Sequence, residues 1–200
     1  MSQEQPGIID LILRRRSIRK YTAEPVSREE IGELLRAAMA APSASNRKPW
    51  EFVVVTEPAR LQRLRRGLVL GHYDAPAAIV VCGNKRRALP AFAQGFWIQD
   101  CSAAAQNILL AATGLGLGSV WIGVHPIGPL MQHVARAVGL PRHVTPLGVI
   151  YIGRPAESKE PRTQYDESRV HWETFGSRGS DSAELRNRAG PEESNRPDGS

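Results

Sequence analysis

The chain has 200 residues, 42% of them hydrophobic, which is enough to bury one sizeable core and leaves no linker to mark off a second. Its net charge of +6 favours anionic partners as a class: phosphorylated cofactors, nucleic acids and acidic membrane surfaces alike. Two cysteines without metal-ligand spacing, a polar first stretch, and no apolar run near the roughly 18 residues of a membrane span weigh against a disulfide scaffold, a secreted protein and a membrane protein, so the chain is expected to be soluble and cytoplasmic.

In chain order, Ile8, Ile9, Leu11, Ile12 and Leu13 are apolar at spacings that suit a short helix. They lead into Arg14-Arg15-Arg16-Ser17-Ile18-Arg19-Lys20-Tyr21. Arginine offers a rigid fork of donors that meets phosphate oxygens two at a time, serine adds a short neutral donor, and Ile18 and Tyr21 can anchor the segment. Taken alone, the run suits a phosphate ligand, a nucleic acid or a solvated basic face. Past Pro25, Ser27 and Glu30 form a capping box ahead of Ile31, Leu34, Leu35, Ala38 and Met39, an amphipathic helix that must stop before Pro42. A loop of small and polar residues with two prolines, 41–50, then runs into a strand over 51–56.

Residues 57–67 read as a basic surface helix, 68–75 as an irregular connection, and 77–82 as an all-apolar strand central in its sheet. From Phe96 to Ala112 apolar and small residues occupy more than one side of a helix, a pattern that suits burial, including against a second copy. Gly114, Gly116 and Gly118 end it; because they follow a helix and not a strand, they make no dinucleotide fingerprint. A strand-like segment over 119–123, a helix over 130–138, a last strand over 147–153 and a charged arm over 154–175 complete the order. One domain is expected over 1–175, and a disordered tail over 176–200, where almost nothing is apolar. Helices and strands mix without a βαβ repeat, so the fold class is α+β with a helix-flanked mixed sheet.

Several of these segments together resemble the nitroreductase family of flavoenzymes. They are Arg15-Arg16-Ser17-Ile18-Arg19, Pro25-Val26, Ala41-Pro42-Ser43-Ala44-Ser45-Asn46 with Pro49-Trp50, Gln99-Asp100, Ala105-Gln106-Asn107, the run from Gly116 to Gly123, and Ile152-Gly153-Arg154-Pro155, colinear over roughly 8–175. The resemblance implies an α+β homodimer with a central mixed sheet and an FMN at each of two interfacial sites. Arg15, Arg16, Ser17 and Arg19 match the positions that hold the FMN phosphate and the pyrimidine edge of the flavin. Pro42, Ser43, Ala44 and Asn46 match a loop that the other subunit lays against the flavin. Ile122 and Gly123 match backbone amides facing the flavin N5 side, and Arg162 matches a cation returning to the phosphate. Lys48 stands where the family commonly has Gln, and Gln164 where a second cation is usual.

The implied activity is hydride transfer from NADH or NADPH to bound FMN, then to a nitroaromatic, quinone or similar acceptor. Such chemistry needs no acid or base from the protein, so no catalytic side chain is assigned. Reductive dehalogenation or flavin destruction on the same fold, and flavin binding without turnover, are the alternatives. Asp100 suits a capping or ion-pair role better than a general acid, and Cys101 a packing role better than a nucleophile. The five histidines lack metal-site pairing, no serine sits in a Gly-x-Ser-x-Gly elbow, and cations interleaved with aromatics for nucleic acid are not visible.

Overall fold

A computed structural model of the chain describes residues 7–68 and 71–178. The chain divides after Arg162 into two units. Among its described residues the first holds five α-helices, α1 (Ile8–Arg14), α2 (Arg28–Met39), α3 (Pro58–Arg66), α4 (Phe96–Gly114) and α5 (Gly128–Val138), and four strands, β1 (Trp50–Val55), β2 (Ala77–Asn84), β3 (Gly118–Gly123) and β4 (Val144–Gly153). In the second, the Asp166 carboxylate accepts from Ser168 N–H at 3.0 Å and caps a single 3-10 turn, Glu167–Arg169. From residue 179 the expected tail lies outside the described residues.

The strands form one sheet in the order β1-β2-β4-β3, and all three ladders are antiparallel. The parallel component is a single bridge, Ser17 to Ser119, on the open side of β3. Alternation sorts the central strands: Ile79, Val81, Ile150 and Ile152 pack with α2 and α4, whereas Ala78, Val80, Cys82, Val149 and Tyr151 face α3 and α5. Each fully buried Leu or Ile contributes about 1.5–3 kcal/mol relative to exposure, and Leu34, Leu64, Ile108 and Ile150 are all completely buried.

Local chemistry accounts for the boundaries. The capping box on α2 is complete, with Ser27 N–H donating to Glu30 Oε2 at 2.9 Å and Glu30 N–H donating to Ser27 Oγ at 3.1 Å. Helix α4 buries Trp97, Cys101, Ala104, Ala105, Ile108 and Ala112, the many-sided pattern of a central helix. Strand β4 begins at Val144, ahead of the expected 147, because Pro146 sits opposite Cys82 where the ladder register slips, and a bulge tolerates a missing donor. Helix α5 likewise starts early, since Pro129 is in its first turn, where its absent N–H costs nothing. No helix among the described residues is long and apolar enough to cross a membrane.

Candidate active site along the β3 edge

Beyond α1 the chain is drawn onto the outer edge of the sheet. Ile18 N–H donates to the Ser119 carbonyl at 3.0 Å, Thr22 N–H to the Arg154 carbonyl at 3.0 Å, and Ala156 N–H to the Lys20 carbonyl at 2.9 Å. The Tyr21 hydroxyl donates to the Ile18 carbonyl at 2.5 Å. Gly118 permits this approach, because a Cβ there would come within 2.7 Å of Ile18 Cγ2. The basic segment is therefore fixed, not fluid, at the start of β3.

Its cations converge. The Arg15 guanidinium is pulled below its ordinary pKa, by burial first and then by Arg16 and Arg162, so the three charges lie close enough to repel. Arg16 Nη1 donates to the Glu160 carbonyl, and Arg162 is tied in by its backbone N–H, which donates to the Leu13 carbonyl at 3.3 Å. No carboxylate ion pair among the described residues involves Arg15, Arg16 or Arg162. Like charges held together without a counterion cost stability until an anion joins them, which is the donor set a phosphate requires.

Three residues that sequence patterns did not single out complete this end. Lys159 Nζ donates to the Ser17 carbonyl at 2.6 Å and pairs with Glu157 at 3.1 Å. The Glu157 carboxylate accepts from Arg19 N–H at 2.5 Å and Lys20 N–H at 3.3 Å, and the Arg19 bond is the main reason it is held below the usual carboxylate range. Arg19 Nε donates to the Tyr73 hydroxyl at 3.2 Å.

From this end β3 leads to Gly123. The Ser119 carbonyl accepts from Ile18, away from β4, whereas Val124 N–H donates to the Leu147 carbonyl at 3.0 Å, toward it. With a period of two, the backbone groups of Trp121 and Gly123 point outward with those of Ser119, and those of Ile122 point into the ladder. Ser119 to Gly123 spans about 13 Å at strand rise. On the α3/α5 face this edge borders a cavity of about 800 Å³ lined by Arg19, Leu68, Tyr73, Val120, Ile122 and Leu130. On the α4 face it borders one of about 520 Å³ lined by Ile98, Ser102, Trp121, His125, Pro126 and Leu147; Gly123 is at the rim of both. Nothing stands within 4 Å of where a Gly123 Cβ would be.

The small-residue loop is elsewhere. Ala44 N–H donates to Asp100 Oδ1 at 2.8 Å, and Lys48 N–H to Ser43 Oγ at 3.0 Å. Asp100 is thus a buried loop anchor, a use its position on a helix did not reveal. Ser45, Asn46 and Lys48 have φ of 47°, 54° and 50°, a left-handed conformation costing non-glycine residues of order 1 kcal/mol or more each. None of Pro42, Ser43, Ala44 and Asn46 lines either cavity beside β3. Asp100 lies about 21 Å along α4 from Gly114, the end that faces Leu11 of α1. Within one copy the structure brings Arg15, Arg16, Ser17, Arg19, Ile122, Gly123 and Arg162 to one edge and leaves the loop residues apart. Gln164 falls in the second unit. No group of three or more His, Cys, Asp or Glu residues able to hold a metal occurs among the described residues. Cys82, pushed up to about 12 by burial, and Cys101, raised by the same cause, are packing residues.

A sequence profile of the nitroreductase family matches residues 12–69 and 64–154. A Methanothermobacter thermautotrophicus protein, provisionally named NADH dehydrogenase/NAD(P)H nitroreductase, is 43% identical over 171 residues, covering 84% of this chain and 87% of that protein. A crystal structure of a similarly named protein from Parabacteroides distasonis has a TM-score of 0.79 at 39% identity, covering 84% of this chain and 98% of the other. The FMN-dependent nitroreductase of Clostridium difficile R20291 has a TM-score of 0.76 at 32% identity, covering 84% and 99%. With its fold, its colinear motifs and these relatives in agreement, the chain belongs to the nitroreductase family.

Proposed function

We propose that the protein is an FMN-dependent oxidoreductase that draws hydride from NADH or NADPH and passes it to a small acceptor such as a nitroaromatic or quinone. The observation that carries this reading is the Arg15, Arg16 and Arg162 cluster, without an ion-pair partner among the described residues, next to Ser17, whose bridge partner Ser119 lies about 13 Å along β3 from the outward-facing Gly123. A phosphate at one end and a flat, hydrogen-bonding ring at the other is the ligand such an edge fits, and the name of the Clostridium difficile relative supplies FMN.

Bound flavin supplies the hydride chemistry; the protein supplies position, charge and access. Arg15, Arg16, Ser17 and Arg162 would hold the phosphate, and Lys159, fixed on the Ser17 carbonyl, would keep that turn in place. Arg19, oriented by the Tyr73 hydroxyl, would place positive charge beside the ring and favour an anionic reduced form. Gly123 N–H, the outward member of the Ile122-Gly123 pair, would orient the ring edge, while Val120, Ile122 and Leu130 exclude water from one side. No protein acid or base is required.

The reading includes a cytoplasmic homodimer. Pro42, Ser43, Ala44 and Asn46 would then reach the flavin of the partner subunit, since they do not line the β3 edge of their own. Helix α1 buries none of its residues and leaves Ile8 and Ile9 both 66% exposed, an apolar face suited to a second copy. The purified protein is expected to be yellow, with about one FMN per chain, and to have in solution twice the 21.9 kDa chain mass. A colourless monomer that fails to take up added FMN would remove both parts of the reading.

A further inference from the structure

The start of β1, the end of β2 and the start of β4 meet at one end of the sheet. Trp50 pairs with Gly83 and Asn84 with Val144, and Lys85 N–H donates to the His143 carbonyl at 2.9 Å. Arg47 Nε reaches across to the Arg87 carbonyl at 3.0 Å. These links gather Arg47, Lys48, Lys85, Arg86, Arg87 and Arg142 on one exposed rim. Among the described residues only Arg87 has an ion-pair partner there, Glu51 at 3.6 Å, and Asn84 Nδ2 also donates to that carboxylate at 3.0 Å.

Elsewhere the exposed arginines divide: Arg28, Arg63, Arg66 and Arg136 have no ion pair among the described residues, and three others are neutralised within their own helix. Arg14 pairs with Asp10, Arg36 with Glu33 and Arg60 with Glu57, each within one helical turn, as solvated charges usually do. The rim keeps its positive charge. It also lies near the α4-face cavity: Trp97 packs on Gly83, two residues before Lys85, and its ring meets edge-on, at 5.1 Å, that of His125, which lines the cavity. Gly123 lines the same cavity as His125, so the cavity lies between the ring end of the site and the strand end that carries the rim.

We propose that this rim, with Lys85, Arg86 and Arg142 as its principal cations, binds the 2′-phosphate of the electron donor, so that the protein takes NADPH in preference to NADH; this rests on the oxidoreductase reading above. The two donors differ only by that phosphate ester, which brings a charge of about −1.5 to −2 at pH 7. A rim of unpaired cations beside the reaction cavity is worth nothing to NADH at this point and attracts NADPH. A preference of about tenfold or more corresponds to one charge-assisted hydrogen bond gained. It should shrink as salt is raised, because exposed charges are screened.

The test uses the flavin-loaded protein as purified. Calorimetric titration with adenosine 2′,5′-bisphosphate and with adenosine 5′-monophosphate should give tighter binding of the bisphosphate by about tenfold or more. The preference should be lost in a Lys85→Ala/Arg142→Ala double variant and kept in Arg60→Ala, a paired arginine on α3. The ratio of kcat/KM for NADPH over NADH should fall in parallel. Equal affinity for the two analogues, or a preference that survives the double substitution, overturns the inference. So does tight binding of a single-stranded RNA oligonucleotide that the same substitutions abolish without any preference between the analogues, since the rim would then serve a nucleic acid. If the bisphosphate is preferred while neither donor bleaches the flavin, the rim assignment stands and the oxidoreductase reading falls; if both donors bleach it equally and neither analogue is preferred, the reverse holds.

Discussion

Arg15 is where sequence chemistry and three-dimensional placement coincide most closely. Its charge is crowded by Arg16, the next residue, and by Arg162, far along the chain, so removing it relieves repulsion in the empty site and removes a donor from the filled one. Arg15→Ala is therefore expected to weaken FMN binding by about 10- to 100-fold, the range for one hydrogen bond to a charged group, with little loss of fold stability. Arg36→Ala, which only breaks an exposed pair with Glu33 on α2, should leave FMN binding unchanged. Fluorescence titration of FMN against the two variants checks this; equal effects would reduce the cluster to surface charge. Arg15, Arg16, Ser17 and Arg19 were legible in the sequence because their chemistry is contiguous. Tyr73, Glu157 and Lys159 were not, because they meet Arg19 or Ser17 across 54, 138 and 142 residues, and nothing local marks those contacts.

At the scale of elements, capping chemistry and periodicity located α2 and α4 well, whereas the starts of α5 and β4, expected at 130 and 147, fall earlier at residues 128 and 144. Pro146 lies within β4 at a bulge and Pro129 within the first turn of α5, two places where a missing N–H is harmless. The glycines after α4 were readable as a helix stop but not for their second use. Gly118 lets Ile18 lie against β3, and that contact fixes the direction of Ser17 and Arg19. Gly118→Ala is expected to cost about 1–3 kcal/mol of stability by overpacking, seen as a lower melting temperature, and to weaken FMN binding because the basic segment is pushed off the edge. Shortening the opposing side chain as well, in Gly118→Ala/Ile18→Ala, should recover part of the FMN affinity. If Gly118→Ala binds FMN normally, the close approach is not what sets the site.

At the scale of the whole molecule the proposed site is divided. One copy brings the cationic segment and the outward Gly123 to the edge of β3, while its own Pro42–Asn46 loop is held on Asp100 by the Ala44 N–H and lines neither adjoining cavity. This division could not be read from residue patterns within one chain; the resemblance to a dimeric family implied it, and the placement of the loop supports it. The α+β architecture was accessible from element order, and the sheet turned out to owe its parallel component to one bridge, Ser17 to Ser119, the same contact that seats the basic segment. Fold and proposed site thus depend on a common feature, the outer edge of β3, which carries cations at one end and an outward amide at the other.

The central claim is that this edge holds a flavin that nicotinamide donors reduce. Anaerobic mixing of the purified yellow protein with NADPH, and separately with NADH, followed by absorbance of the oxidised flavin, tests it most directly. Rapid bleaching by at least one donor, with recovery of colour when a quinone or nitroaromatic is added, is the predicted result. Flavin that stays oxidised with both donors yet is reduced by dithionite would contradict the claim and leave a flavin-binding protein without turnover.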